Sequence, residues 1–176
     1  YVKYFVNAAG CGINKKIKET DLMDCNRMLE VNCNALTLLT KIVLPYCGKR
    51  SRIVMLASAS AFLPQPGFAV YAASKSYVLS FSRALRRELK KTGTTVTIVC
   101  PGPVDTPFLD TIGGKDSIPV IKRPFIMKTD KVVSVAIKDA AKGKEQIGRA
   151  SIPGISMKCF FRICKIVPHK VLLKFT

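Results

Sequence analysis

Three side chains in this sequence have the types and spacing for proton transfer at an oxygen: Ser58, Tyr71 and Lys75. Tyr71 and Lys75 are four residues apart, so a helix places them on one face. A lysine ammonium beside a phenol favours the phenolate. Tyrosine has an unperturbed pKa of about 10, and a nearby cation lowers it toward working pH. A phenol tuned in this way serves as a general acid or base. Ser58, at the end of the preceding strand, can hydrogen-bond a carbonyl or alcohol oxygen held near Tyr71. Taken alone, the pair also fits an ordinary amphipathic helix with a solvated lysine and a half-buried tyrosine. Its context adds meaning: a strand ending in serine, a Pro/Gly connection, then Tyr-Ala-Ala-Ser-Lys opening a helix.

The elements around these residues follow from pattern. Ile53 to Ala57 is a short apolar run that predicts a buried strand. The helix that begins near Tyr71 carries apolar residues at 78, 79, 81, 85 and 89, has basic residues at 83, 86, 87, 90 and 91, and ends before Gly93. Upstream, Lys3 to Gly12 runs from an apolar strand into Asn7-Ala8-Ala9-Gly10, small residues that admit a ligand or a neighbouring backbone. Gly10 and Gly12 make a G-x-G, but Lys15 stands where a third glycine would be, so the dinucleotide fingerprint is absent here. A plain strand-to-loop turn is the alternative. Thr20 to Glu30 opens with a Thr-Asp cap signal, and the helical pattern resumes from Ala35 to Tyr46, with Pro45 and Gly48 marking its end. Asn32 falls between them. Asparagine is unfavourable inside a helix, so Asn32 marks either a kink whose amide orders water or a break without chemistry.

Thr94 to Cys100 predicts a further strand, followed by Pro101-Gly102-Pro103-Val104-Asp105-Thr106-Pro107. Such a rigid loop often floors a crevice at the carboxyl ends of parallel strands. Phe108 to Lys128 shows no clear period and reads as a candidate lid. Thr129 caps a helix from Asp130 to about Lys142, and Gln146 to Ile152 reads as a last strand. Strands alternating with helices imply an α/β fold with a parallel sheet and crossover helices.

Composition narrows the function classes. A chain of 176 residues that is 48% hydrophobic suits one packed domain rather than global disorder. It contains neither a secretory leader pattern nor an uninterrupted apolar run of about 18 residues. It starts at Tyr1, directly on a strand, and reads as a chain without its natural start. Seven cysteines are scattered without a Cys-x-x-Cys, and His169 is the sole histidine. A zinc site and a Ser-His-Asp triad are both poorly supported. Reduced thiols point to the cytoplasm. The net charge of +18 could serve nucleic acid or an anionic membrane surface. The lysines are spread along the chain, however, without aromatic interleaving or a nucleic-acid motif, so nucleic acid is not expected as a partner. The charge would also attract a phosphorylated cofactor. Residues 154–176 hold Phe160, Phe161, Ile163, Val167, Leu172, Leu173 and Phe175 among basic residues and no acid. This basic amphipathic tail could lie on a membrane surface or pack on the protein or a partner subunit, and packing is favoured.

Taken together, these motifs resemble the short-chain dehydrogenase/reductase family, from Phe5 to about Ile152. Asn7-Ala8-Ala9-Gly10 is similar to the family's Asn-Asn-Ala-Gly, with Ala8 at the second position. Asn32 falls at the place of the catalytic asparagine. Ser58 lies thirteen residues before Tyr71, the usual spacing. Tyr71 to Lys75 matches Tyr-x-x-x-Lys, and Pro101-Gly102 with Thr106 matches the loop after the sixth strand. The resemblance implies a Rossmann-like doubly wound parallel sheet over residues 1–153, of which the C-terminal part is present here. It implies a hydride transfer between NAD or NADP and a small-molecule carbonyl or secondary alcohol, and the basic charge slightly favours NADP. Tyr71 would exchange the proton. Lys75 would lower the tyrosine pKa and bind the nicotinamide ribose. Ser58 would orient the carbonyl, and Asn32 would hold a water in a proton relay. Val104 and Thr106 would hold the carboxamide, while Asn7, Ala8 and Gly10 would line the adenosine side. No metal is implied. A homo-oligomer of the full-length protein is, through the helices bearing Asn32 and Tyr71.

The family's glycine-rich turn and first strands would precede Tyr1. Without them the strand at Tyr4 to Val6 is expected to be an exposed apolar edge, and the 176-residue chain is expected to bind cofactor poorly and not to behave as a soluble, cooperative monomer. The competing reading is a non-catalytic scaffold or membrane-surface protein on the same fold.

Overall fold

The β-branched and apolar runs form strands because their side chains pack well on a pleated surface. The computed structural model describes residues 1–114, 126–142 and 155–173. In it β1 (Tyr4–Asn7), β2 (Arg52–Leu56) and β3 (Thr95–Val99) make one sheet in the order β1-β2-β3. Both pairings are parallel, with Phe5 opposite Ile53 and Met55 opposite Ile98. The two-residue period of the strands divides the core. Ile53, Met55, Val96 and Ile98 face the larger cluster, whereas Val54 and Val99 face a smaller one with Val132 and Ala140. Covering both faces is the usual arrangement for parallel strands.

The first crossover contains α1 (Leu22–Leu29), a wide π turn over Glu30–Ala35 and α2 (Leu36–Val43). The kink expected at Asn32 is this π turn, a form of helix widening frequent at functional sites. The second crossover is α3 (Ala69–Glu88), which buries Val78, Leu79 and Leu85 as its apolar spacing predicts. The rigid loop after β3 leads into β4 (Val104–Asp105) and α4 (Pro107–Thr111), with Pro107 at the first helical position, where a missing N–H is harmless. Next come β5 (Met127–Lys128), parallel to β4, and α5 (Thr129–Lys142), which supplies Val132 and Ala140 to the smaller cluster.

The segment read as periodless from Phe108 to Lys128 therefore carries a short helix at one end and a strand at the other. Its middle, the expected lid, and the expected strand at 146–152 lie outside the described residues. β1 is the edge of the described sheet, with Tyr4 and Val6 exposed, as expected for that strand. In the tail, α6 (Ile155–Ile166) and α7 (His169–Leu172) follow. Phe160, Phe161, Cys164 and Leu172 join the larger core cluster. The Phe161 ring lies 4.6 Å from Phe62 in the 3-10 turn Ala59–Phe62. One face of the tail packs on the protein.

Candidate active site

Four segments meet at the carboxyl ends of the strands. Gly10 follows β1, Ser58 follows β2, Pro101 follows β3, and α3 presents Tyr71 and Lys75 to all three. Both side chains are buried, Tyr71 at 8% exposure and Lys75 at 4%. The Lys75 Nζ donates to the Leu56 carbonyl at 3.1 Å, where β2 ends, and lies 5.8 Å from the centroid of the Tyr71 ring. Ser58 caps the following 3-10 turn by accepting from the Ser60 amide at 3.1 Å. The Ala59 amide donates to the Pro101 carbonyl at 2.8 Å, which ties the serine turn to the loop after β3. Phe68 and Phe108 each bring a ring centroid to 5.5 Å from that of Tyr71. The walls beside the phenol are thus apolar.

Asn32 is fully enclosed in the site, 1% exposed. Its Oδ1 accepts from the Cys11 amide at 2.9 Å, and its Nδ2 donates to the Cys11 carbonyl at 2.8 Å and to Ser74 Oγ at 2.9 Å. The side chain thus clamps the loop after β1 onto α3. Both N–H donors of the amide and one lone pair of its oxygen are thus engaged with the protein, which leaves the second lone pair of Oδ1 for a water. The glycines on this loop are needed for close approach. A Cβ at Gly10 would lie 3.0 Å from Lys75 Nζ and 3.2 Å from Asn32 Oδ1, and one at Gly12 would lie 2.7 Å from Tyr71 Cδ2.

The electrostatics differ from the sequence expectation on one point. Burial pushes the Tyr71 phenol above its ordinary pKa of 10.0, with a side-chain hydrogen bond to Ser58 pulling it back only in part. Lys75 is not a cause of the shift. The reason is geometric: its ammonium is aimed at the Leu56 carbonyl and is itself destabilised. Burial lowers the Lys75 pKa from 10.5 to about 8, against small opposing contributions from Cys11, Cys33 and Cys100. Desolvation is the largest cause at both groups.

The remaining predicted residues lie around this centre. Asn7 is buried, with its Nδ2 donating to the Leu36 carbonyl at 3.3 Å, a tie between β1 and α2. Ala8 is exposed, Pro101 is buried and Gly102 is half-buried. Val104 lies in β4, and Thr106 precedes α4 with its hydroxyl donating to the Val104 carbonyl at 3.4 Å. The structure thus brings Ser58, Tyr71, Lys75, Asn32 and Gly10 together, and leaves the Asn7 amide turned into the fold. Gly12, Phe68, Ser74 and Phe108 were not anticipated. Ser74 had a signal, a serine inside a helix one residue before the buried lysine. Its hydroxyl donates to the Tyr71 carbonyl at 2.7 Å, the back-bond that lets a mid-helix serine be buried.

A strand-end serine, a buried Tyr and Lys one turn apart and a glycine loop pinned by an asparagine occur here in one constellation. Residues 1–116 match the family model for short chain dehydrogenase. The chain belongs to the short-chain dehydrogenase family. It is similar to an uncharacterised oxidoreductase of Staphylococcus epidermidis, 35% identical over 112 residues, which cover 62% of this chain and 49% of that protein. It is also similar to a 3-ketoacyl-(acyl-carrier-protein) reductase from Brucella melitensis solved with NADH, at 27% identity and a TM-score of 0.67, covering 86% of this chain and 64% of that one. A short-chain dehydrogenase from Sphingobium yanoikuyae, solved with NADPH, shares the fold at a TM-score of 0.76 and 23% identity, covering 97% of this chain and 64% of that one. The chain thus spans about half the length of the curated relative and less than two thirds of the structural ones.

Proposed function

We propose that the whole protein is an oxidoreductase that moves a hydride between a nicotinamide dinucleotide and the carbonyl or secondary alcohol of a small molecule. The observation that carries this reading is the Tyr71 phenol, buried between the Ser58 hydroxyl and two phenylalanine rings, one helical turn from a buried lysine.

The residues present suit such a cofactor. An ammonium has three N–H donors, and among the described residues Lys75 uses one on the Leu56 carbonyl. Two remain for the hydroxyls of a ribose. Gly10 keeps the space beside that ammonium clear, where a Cβ would reach within 3.0 Å. When bound, the cofactor supplies or accepts the hydride. The protein's own part is positioning and proton transfer. Because burial raises its pKa, the Tyr71 phenol is protonated at neutral pH and is ready to donate to a substrate oxygen held by Ser58. Phe68 and Phe108 bracket the carbon skeleton. Asn32 acts through the loop that it clamps, and the second lone pair of its Oδ1 is left for a relay water. Thr106 and Val104 stand at the mouth of the loop after β3, in reach of a carboxamide. Asn7, Ala8 and Gly10 border the adenosine side.

NAD and NADP are both candidates. The Brucella reductase was solved with NADH, while the net charge of +18 favours the extra phosphate of NADP. Leu38, Leu39, Ile42 and Tyr77 are exposed on α2 and α3, and this apolar face supports a homo-oligomer. All seven cysteines are free, in keeping with a reducing cytoplasm.

The test is turnover of NADH and NADPH by the whole protein against a panel of ketones and aldehydes, with Tyr71→Phe alongside. Loss of the phenolic proton should cut kcat by about 10²–10⁴-fold, with the circular-dichroism melt unchanged. Full activity in Tyr71→Phe would overturn the assignment. Absence of nicotinamide binding by the whole protein would favour the scaffold reading.

A further inference from the structure

Helix α6 is apolar on two opposite faces. Phe160, Phe161 and Cys164 point into the core. On the other side Ile155, Lys158, Cys159, Arg162, Ile163 and Ile166 are all exposed, and they recur at the three- and four-residue intervals of a single helical stripe. Ile155 and Ile166 are each 81% exposed and Ile163 is 47% exposed. A helix apolar all round is normally buried all round. Here the core holds one face and the outer stripe is exposed. Val171 and Leu173 continue the exposed apolar surface beyond α6, with Lys170 beside them.

The charge of this region selects the occupant. Residues 146–176 contain six Lys or Arg and no Asp or Glu. A second copy of this chain would bring Lys158 and Arg162 against a surface of the same sign, on a protein of net charge +18. An anionic bilayer surface offers both complements, an apolar layer for the isoleucines and phosphates for the basic residues that flank them. Among the described residues no helix is long and apolar enough to cross a membrane, so the contact would be peripheral. We infer that the outer face of α6, continued by α7, docks the protein on an anionic lipid surface, with Ile155, Ile163 and Ile166 entering the interface and Lys158 and Arg162 at the level of the headgroups.

These 176 residues hold no tryptophan, so Ile166→Trp places a new reporter at an exposed position, read as the difference in emission from the unsubstituted protein. The whole protein carrying it is mixed with vesicles of pure phosphatidylcholine and with vesicles containing phosphatidylglycerol. The expected result is a blue shift of emission and co-sedimentation with the phosphatidylglycerol vesicles alone. Lys158→Glu combined with Arg162→Glu should weaken partitioning by about tenfold or more, given the contribution of each basic residue near such a surface. The control reverses two exposed charges elsewhere, Lys90→Glu with Lys91→Glu, and should weaken it far less. Equal losses in the two variants would show diffuse charge attraction and overturn the proposal. So would an unshifted tryptophan emission from sedimented Ile166→Trp protein, equal binding to phosphatidylcholine, or no vesicle binding at all, the last of which would leave an acidic protein as the occupant. The substituted residues are on the surface, and matching thermal melts would exclude misfolding.

Discussion

The Asn32 amide donates to the Ser74 hydroxyl at 2.9 Å, and that hydroxyl donates in turn to the Tyr71 carbonyl at 2.7 Å. With the two Cys11 bonds to Asn32, this makes one hydrogen-bonded line from the loop after β1 through the π turn to α3. The consequence is that the glycine loop and the Tyr71 helix are positioned as a unit.

Asn32→Ala should therefore cost stability in a way that depends on Ser74. It strands the part-buried Cys11 N–H and carbonyl, a loss of about 1–2 kcal/mol, whereas Ser74→Ala should cost about 1 kcal/mol. Since the two side chains share a bond, the double variant should lose less than the sum, with a coupling of about 0.5 kcal/mol or more. Urea titrations of the four proteins measure this cycle. Strict additivity would show that the Asn32–Ser74 bond contributes nothing.

Gly12→Ala acts on the site through sterics alone. The added Cβ would meet Tyr71 Cδ2 at 2.7 Å and Phe108 Cζ at 2.9 Å, and the Tyr71 ring is held from another side by Phe68. The ring must shift, and a displacement near 1 Å at a reacting group can cost about 10²-fold in rate. Overpacking of this kind also destabilises by about 1–3 kcal/mol. Steady-state kinetics should show the loss in kcat. A Gly12→Ala enzyme with native kcat would mean that the phenol tolerates displacement.

Local pattern revealed much of this arrangement, and its limits have a physical cause. β2, β3 and α3 were legible because their apolar periods report which face is buried. The Tyr71–Lys75 pair was legible from a four-residue spacing. The sign of the Tyr71 shift was not, because it is set by enclosure under Phe68 and Phe108, and Phe108 comes from a distant segment. The kink at Asn32 could be read from helix propensity. The destination of its amide could not, since its partners lie 21 and 42 residues away. β4 and β5 are two residues each, Val-Asp and Met-Lys, and exist through pairing with one another, which so short a stretch does not announce.

Ser82 offers a stabilising substitution. It is fully enclosed in α3, at 0% exposure, and among the described residues its hydroxyl has no hydrogen-bond partner. An unpaired buried hydroxyl costs about 1–3 kcal/mol, and alanine is also the better helix former. Ser82→Ala should raise Tm by several degrees, allowing for a small cavity where the oxygen was. A lower Tm in calorimetry would show that the hydroxyl is satisfied after all.

Lys75 should link activity to stability through pH. Its folded pKa is about 8 against the ordinary 10.5, so the folded state disfavours the ammonium. Below pH 8 both folded and unfolded chains carry this proton, and the folded chain bears the full penalty. Between pH 8 and 10.5 the folded state releases the proton while the unfolded state keeps it, so stability from this residue rises with pH. Above 10.5 the penalty is gone. Its size is about 3 kcal/mol. Raised pKa values at Tyr71 and Cys100, the latter to about 12, act in the opposite sense at high pH, so the wild-type curve alone does not isolate Lys75. The difference between wild type and Lys75→Met does. Methionine removes the buried charge and loses the bond to the Leu56 carbonyl, worth about 1 kcal/mol. Lys75→Met should thus be more stable than wild type at pH 7 by about 2 kcal/mol, with the advantage vanishing by pH 10.5, and its turnover should be abolished. Denaturant unfolding at pH 7, 9 and 10.5 measures the trend. An advantage that stayed constant across this range would show that Lys75 titrates near its ordinary pKa. A deficit at pH 7 would mean that the ammonium is better solvated than its burial indicates.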